Sequence, residues 1–147
     1  MDKNNYLIEI VGTQQIEDEP KDTIEVTTTG EYKISPTGSI FIRYKEYDED
    51  KITFVYNTTV KATPNMVTIT KGDNKDTQLL LELDKLHQCC YYTPAGPMII
   101  GVYTSKIDIK VKEDECFICT EYTLNFDSNN ISNNTFTIKI RKNNKSK

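Results

Sequence analysis

The residues best suited to chemistry in this chain are a tyrosine and a glutamate two positions apart, Tyr44 and Glu46. Alternate side chains of a β-strand share one face, so a strand that points Ile42 into a core also points these two inward. A phenol beside a carboxylate would then form a polar anchor for a ligand, or an acid and a base for catalysis. The alternative is that Glu46 only begins the acidic stretch at residues 46–50 and is solvated.

The sequence around Glu46 predicts which groups would stabilise its carboxylate. Loss of hydration inside a barrel disfavours a carboxylate unless a cation or several hydrogen-bond donors compensate. Because Arg43 and Lys45 occupy the opposite face of the same strand, we expect tyrosine hydroxyls as the partners of Glu46. No orienting histidine or nucleophile accompanies the pair. The sequence therefore predicts no catalytic residue, and an enzyme that uses Glu46 as acid or base is the less favoured alternative.

Cys116 and Cys119 have the CxxC spacing of a redox or zinc-binding pair. They fall in an apolar, β-branched run, where residues three apart point to opposite faces of a strand, whereas a zinc or redox site needs both sulfurs on one side. His87 shares a strand face with Cys89, yet two ligands do not complete a zinc site. We expect thiols that behave as small hydrophobic residues, no bound metal and no cofactor.

Composition and charge exclude several classes of protein. Val, Ile, Thr, Tyr and Phe make up 57 of the 147 residues and alanine occurs twice, which favours strands and nearly excludes a helical bundle. The net charge of −4 gives no general attraction to nucleic acid or to a membrane surface. A carboxylate at Glu9 interrupts the amino terminus before an apolar signal sequence could form, so we expect a cytoplasmic protein.

Apolar and polar residues alternate through nearly every segment, which predicts about eight to ten short antiparallel strands. In the clearest run, Asp22 to Ile34, Gly30 lies on the apolar face and would permit the bend of a barrel corner. At most one short helical turn is predicted, at residues 76–83, and the asparagine-rich stretch 127–134 is interpreted as a loop. Because many short strands must protect their edges, residues 1–147 are predicted to form a single all-β domain, an up-and-down β-barrel with a disordered basic tail at 142–147. An open sandwich is the alternative.

The tyrosines of this predicted barrel are candidates for the wall of a ligand cavity. Tyr44, Tyr56, Tyr92 and Tyr122 all lie in strand-like segments. Small barrels often fill their interior with side chains, so packing in the core is the alternative for most of these residues.

Several stretches carry a resemblance to a known family: Ile-Glu-Val-Thr-Thr-Thr-Gly at 24–30, Tyr44-Lys45-Glu46, Tyr92-Thr93-Pro94-Ala95-Gly96 and Ile100-Gly101-Val102-Tyr103-Thr104. Across nearly its whole length the chain resembles the bacterial YwiB-like family of unknown function. The resemblance implies a calycin-like (lipocalin-like) β-barrel and leaves activity open. The stretch at 92–96 adds Thr93 to the candidate ligand-binding residues, with a rigid turn that fixes strand register as the alternative.

Three functions from different classes follow from these observations. The leading hypothesis is a non-catalytic barrel that binds a small, partly apolar ligand. The second is a structural or interaction protein with a filled core that pairs through an exposed strand, for instance as a homodimer. The third is the enzyme based on Glu46.

Overall fold

The computed structural model describes residues 6–16, 19–47, 54–72, 77–93, 96–127 and 130–143, with the backbone alone for residues 54–55, 91–93, 126–127 and 130. No helix occurs in these ranges, and so none that could span a membrane. The strands are β1 (Tyr6–Ile16), β2 (Asp22–Ile34), β3 (Ile40–Tyr47), β4 (Phe54–Thr63), β5 (Met66–Lys71), β6 (Thr77–Glu82), β7 (Leu86–Thr93), β8 (Gly96–Lys112), β9 (Glu115–Asp127) and β10 (Asn130–Lys142).

The strands form one antiparallel sheet that is rolled into a nearly closed barrel. Strands that follow one another in the chain pair with each other except β6 and β7, which form the two edges of the sheet, and β1 also pairs with β10. The barrel closes next to these edges: a bridge joins Leu83, directly after β6, to Thr104 of β8, and the backbone N–H of Asp84 donates to the Thr104 carbonyl at 2.8 Å. The predicted all-β, up-and-down barrel is thereby confirmed.

The interior is packed with aliphatic side chains over most of its length. Alternation along each strand turns one set of residues inward, and these side chains have no exposed surface: Ile8, Ile42, Ile100, Ile118, Ile138 and Ile140. Burial of branched apolar groups from strands all around the barrel is the main favourable contribution to folding. We refer to the end of the barrel where β1, β3 and β5 finish as the upper end.

The corner expected at Gly30 is present in β2. From Asp22 to Gly30 the strand pairs with β1, and from Gly30 to Ile34 it pairs with β3. Above Gly30 the described pairs of β2 are with β1 alone, so β2 and β3 separate towards the upper end. Ile24, 65% exposed, and Val26, 41% exposed, lie along this opening.

Two local expectations are wrong. Residues 77–82 form strand β6 rather than a helical turn, because Thr77, Leu79 and Leu81 alternate into the core and pairing with β5 overrides the helix propensity of leucine; residue 76 lies outside the described residues. The asparagine-rich stretch is strand from Asn130 onward, since pairing with β9 satisfies its backbone. At the end of that strand Lys142 pairs with Tyr6, and residues 144–147 lie outside the described residues.

Candidate functional site

A cavity of about 310 Å³ lies at the upper end of the barrel, and seven strands contribute to its wall. Apolar side chains contribute a large part of the wall: Ile10, Ile24, Val26, Ile69, Leu79, Leu124 and Phe136. Three charged side chains share the wall with them: Asp22, Glu46 and Lys71. Uncharged polar residues, among them Gln14 and Asn134, complete the wall. The site therefore combines apolar surface with polar groups, as small-molecule sites do.

Strand β3 delivers two of the predicted site residues to this cavity. Ile42 is buried in the core, and Tyr44 and Glu46 follow at alternate positions along the same face. Directly after Glu46 the register with β4 shifts, because Glu46 pairs with Tyr56 whereas Tyr47 pairs with Phe54. Such a bulge increases the local twist of a strand and often redirects a side chain at a barrel rim.

The partners of Glu46 differ from those expected. Its Oε2 atom accepts a hydrogen bond from the hydroxyl of Thr58 and lies 3.7 Å from Nζ of Lys71. The sequence argument considered cations on the same strand only and so did not include Lys71. Lys71 arrives from β5, two strands away in the sheet. Its ammonium also lies 5.9 Å from the centroid of the Tyr56 ring.

Tyr44 forms the inner side of this polar cluster. Its side chain is buried, and it pairs across the sheet with Thr58, whose side chain has no exposed surface. Burial raises the pKa of the Tyr44 hydroxyl well above its ordinary value of 10.0, and the nearby charge of Glu46 raises it further. The phenol therefore stays neutral across the physiological range and keeps a proton that it can donate.

The raised pKa of Tyr44 predicts a loss of stability in alkali. The unfolded chain releases this proton near pH 10.0 and the folded chain only at higher pH, so stability is complete below that value and falls as pH rises above it. We expect the free energy of unfolding to fall less steeply between about pH 8 and about pH 11 in Tyr44→Phe than in the wild type. Urea denaturation measures both slopes.

The control for this measurement is Tyr103→Phe, which removes a more exposed hydroxyl and should leave the wild-type slope unchanged. Equal slopes in all three proteins would contradict the assignment.

The other predicted site residues have different outcomes. Tyr122 lines the cavity from β9. Tyr56 is half-buried next to the wall, where its backbone pairs with Glu46. Tyr92 and Thr93 end β7, and their side chains lie outside the described part of the structure.

Sequence reasoning missed Lys71 and Asn134, both of which line the cavity. Lys71 continues the alternation by which Val67 and Ile69 face inward, but Gly72 and two further turn-forming residues follow it directly, so composition alone indicates the start of a turn. Asn134 lies in the stretch interpreted as a loop; it is buried, and its side-chain amide donates to the carbonyl and hydroxyl oxygens of Ser132 at 3.1 and 3.0 Å. Extending the alternation of inward and outward side chains to the last residue of each strand would have identified Lys71.

The cysteines and the histidine lie apart from this cavity. Cys116 faces the core and Cys119 lies on the other face of β9, as alternation predicts, and burial raises the pKa of the Cys116 thiol. His87 contacts Glu82 through Nε2 at 2.8 Å, and this hydrogen bond lowers the pKa of Glu82. Among the described residues, His, Cys, Asp and Glu form no group of three that could hold a metal ion.

Comparison with known proteins agrees with this architecture. The sequence profile of a domain of unknown function, DUF1934, matches residues 8–138. The chain belongs to this family. The crystal structure of the YwiB protein from Bacillus subtilis is similar to it with a TM-score of 0.72 at 17% sequence identity, covering 91% of this chain and 89% of that one. The predicted resemblance is confirmed, and at this identity the likeness shows the fold. A search of curated proteins finds no match.

Proposed function

We propose that this DUF1934 barrel is a non-catalytic binding module that holds a small, partly apolar molecule in the cavity at its upper end. The observation that carries the proposal is the cavity itself, an apolar chamber into which Tyr44, Glu46 and Lys71 all project. A volume of about 310 Å³ lies at the lower end of the range of roughly 300–1,000 Å³ that is typical of ligand pockets. The proposed ligand is therefore small, and the proposed setting is the cytoplasm.

The arrangement of the polar groups supports binding over catalysis. Glu46 is engaged by Thr58 and Lys71, and the described wall of the cavity contains neither histidine nor cysteine. A general base needs a partner that positions it and a substrate proton within hydrogen-bond reach. The lower part of the barrel is filled with side chains, as in a purely structural barrel. A structural or interaction role is therefore the competing function.

Small molecules that co-purify with the native protein test the proposal. We expect mass spectrometry after denaturation to release a stoichiometric species from the wild type and at least about tenfold less from Glu46→Gln, because the substitution keeps the shape and removes the charge that strengthens a hydrogen bond. The same substitution should change the free energy of unfolding by less than about 1 kcal/mol, since a partly exposed ion pair contributes little.

Glu121→Gln is a matched control for this experiment. Glu121 lies 3.7 Å from Lys106 on the outer face of β9 and β8, the same separation as in the Glu46–Lys71 pair. Equal ligand content in the wild type and both variants, or no released species combined with no binding of added small molecules, would favour the structural barrel.

A further inference from the structure

The cavity already holds an ammonium group of the chain itself. Nζ of Lys71 lies 3.7 Å from a carboxylate oxygen of Glu46, a wall residue, and 5.9 Å from the centroid of the Tyr56 ring, which lies next to the wall. A carboxylate combined with the face of an aromatic ring is the combination by which proteins recognise organic ammonium ions. The side chain of Lys71 is 37% exposed, so its ammonium has a path outward to solvent.

The charges of the wall favour the same class of ligand. Asp22 and Glu46 contribute two carboxylates, and Lys71 contributes the single ammonium among the described wall residues. An anionic ligand would have to approach both carboxylates and draw Lys71 away from Glu46. A cationic ligand replaces one ammonium by another and leaves the charge balance around Glu46 unchanged.

The other residues of the wall determine which chemical groups the ligand has besides its ammonium. Tyr122, Leu124 and Phe136 line the cavity from β9 and β10, and Ile69 and Leu79 line it from β5 and β6. Burial of an apolar group against these side chains is favourable in proportion to the area removed from water. The ammonium must therefore be attached to a short apolar body.

We propose that the ligand is a small primary amine with an alkyl or aryl body, and that its ammonium displaces that of Lys71 from Glu46. Lys71 then acts as an internal placeholder that keeps Glu46 paired while the site is empty. The inference rests on the proposed function of the cavity and specifies the chemistry of its occupant.

Three probes of the same size and different charge test the class of ligand: benzylamine, benzyl alcohol and benzoate. We expect benzylamine alone to raise the melting temperature of the wild-type protein, by about 3–5 °C at ten times its Kd. The affinity for benzylamine, measured by calorimetry, should fall about 10- to 100-fold in Glu46→Gln and stay unchanged in Glu121→Gln.

Replacement of Lys71 tests the placeholder. Lys71→Ala removes the internal competitor, so benzylamine should bind more tightly, about tenfold if the Lys71–Glu46 pair is closed nine-tenths of the time. Propylammonium, which has the atoms that this truncation deletes, should raise the melting temperature of Lys71→Ala. At the same ionic strength sodium chloride should not do so, nor should propylammonium stabilise Lys106→Ala, the matched variant on the outer face.

The outcomes separate this inference from the function on which it rests. If benzoate or benzyl alcohol stabilises the wild type as well as benzylamine does, the cavity binds ligands and the amine inference is wrong. Weaker binding of benzylamine to Lys71→Ala, or no rescue by propylammonium, overturns the placeholder. If none of the probes binds, the amine inference fails, and the co-purification experiment decides the proposed function by itself.

Discussion

Gly30→Ala will destabilise the protein by at least about 3 kcal/mol, because overpacking at this site involves a rigid backbone atom. A Cβ built on Gly30 would lie 2.4 Å from the carbonyl oxygen of Arg43 and 2.6 Å from Cδ1 of Ile8. The carbonyl belongs to the neighbouring strand β3 and cannot move without breaking the corner of the barrel. Urea denaturation measures the loss, which corresponds to a fall in melting temperature of roughly 6–12 °C.

Gly12→Ala provides the matched control, because it adds the same methyl group to the adjacent strand β1. The nearest atom to a Cβ at Gly12 is the carbonyl oxygen of Thr135 at 3.9 Å, an ordinary contact. We expect this variant to be as stable as the wild type or more stable by up to about 1 kcal/mol, since alanine restricts the unfolded chain. Similar stabilities of the two variants would show that Gly30 is not required for the close approach of β2 and β3.

Ile42→Ala will destabilise the protein by about 2–5 kcal/mol, through lost burial and the cavity that the truncation leaves. Ile42 has no exposed surface and lies in the middle of β3, paired with Tyr32 on one side and Val60 on the other. The packed strands around it limit collapse into the vacated space, so the effect should fall in the upper part of that range. The measurement is again the free energy of unfolding in urea.

Ile99→Ala makes the same chemical change at a site that is 64% exposed on β8. We expect a loss below about 1 kcal/mol, which reflects strand propensity and little burial. A large loss at Ile99, or a small one at Ile42, would contradict the assignment of inward and outward faces on which the site also depends.

Much of the fold could be predicted because period-two alternation is a local property. The side chains of Ile42, Tyr44 and Glu46 share one face whatever the partner strands are, and the corner at Gly30 follows from a missing side chain on the buried face. Prediction failed where local composition and tertiary pairing disagree. The asparagine-rich stretch after residue 130 has the composition of a loop, yet pairing with β9 makes it a strand. The strand β1, with Ile8 and Ile10 on its inner face, was not assigned.

The sequence by itself determined that this protein is all-β, favoured a barrel, and indicated which residues face the interior in the strands that alternation predicted. The contact between Glu46 and Lys71 was decided by tertiary structure, because β3 and β5 meet through β4 only once the sheet has formed and its register is set. The presence of the cavity was also decided by the tertiary structure. Whether a barrel is filled or hollow at a given height depends on the summed volume of side chains from many strands, and no single strand carries that information.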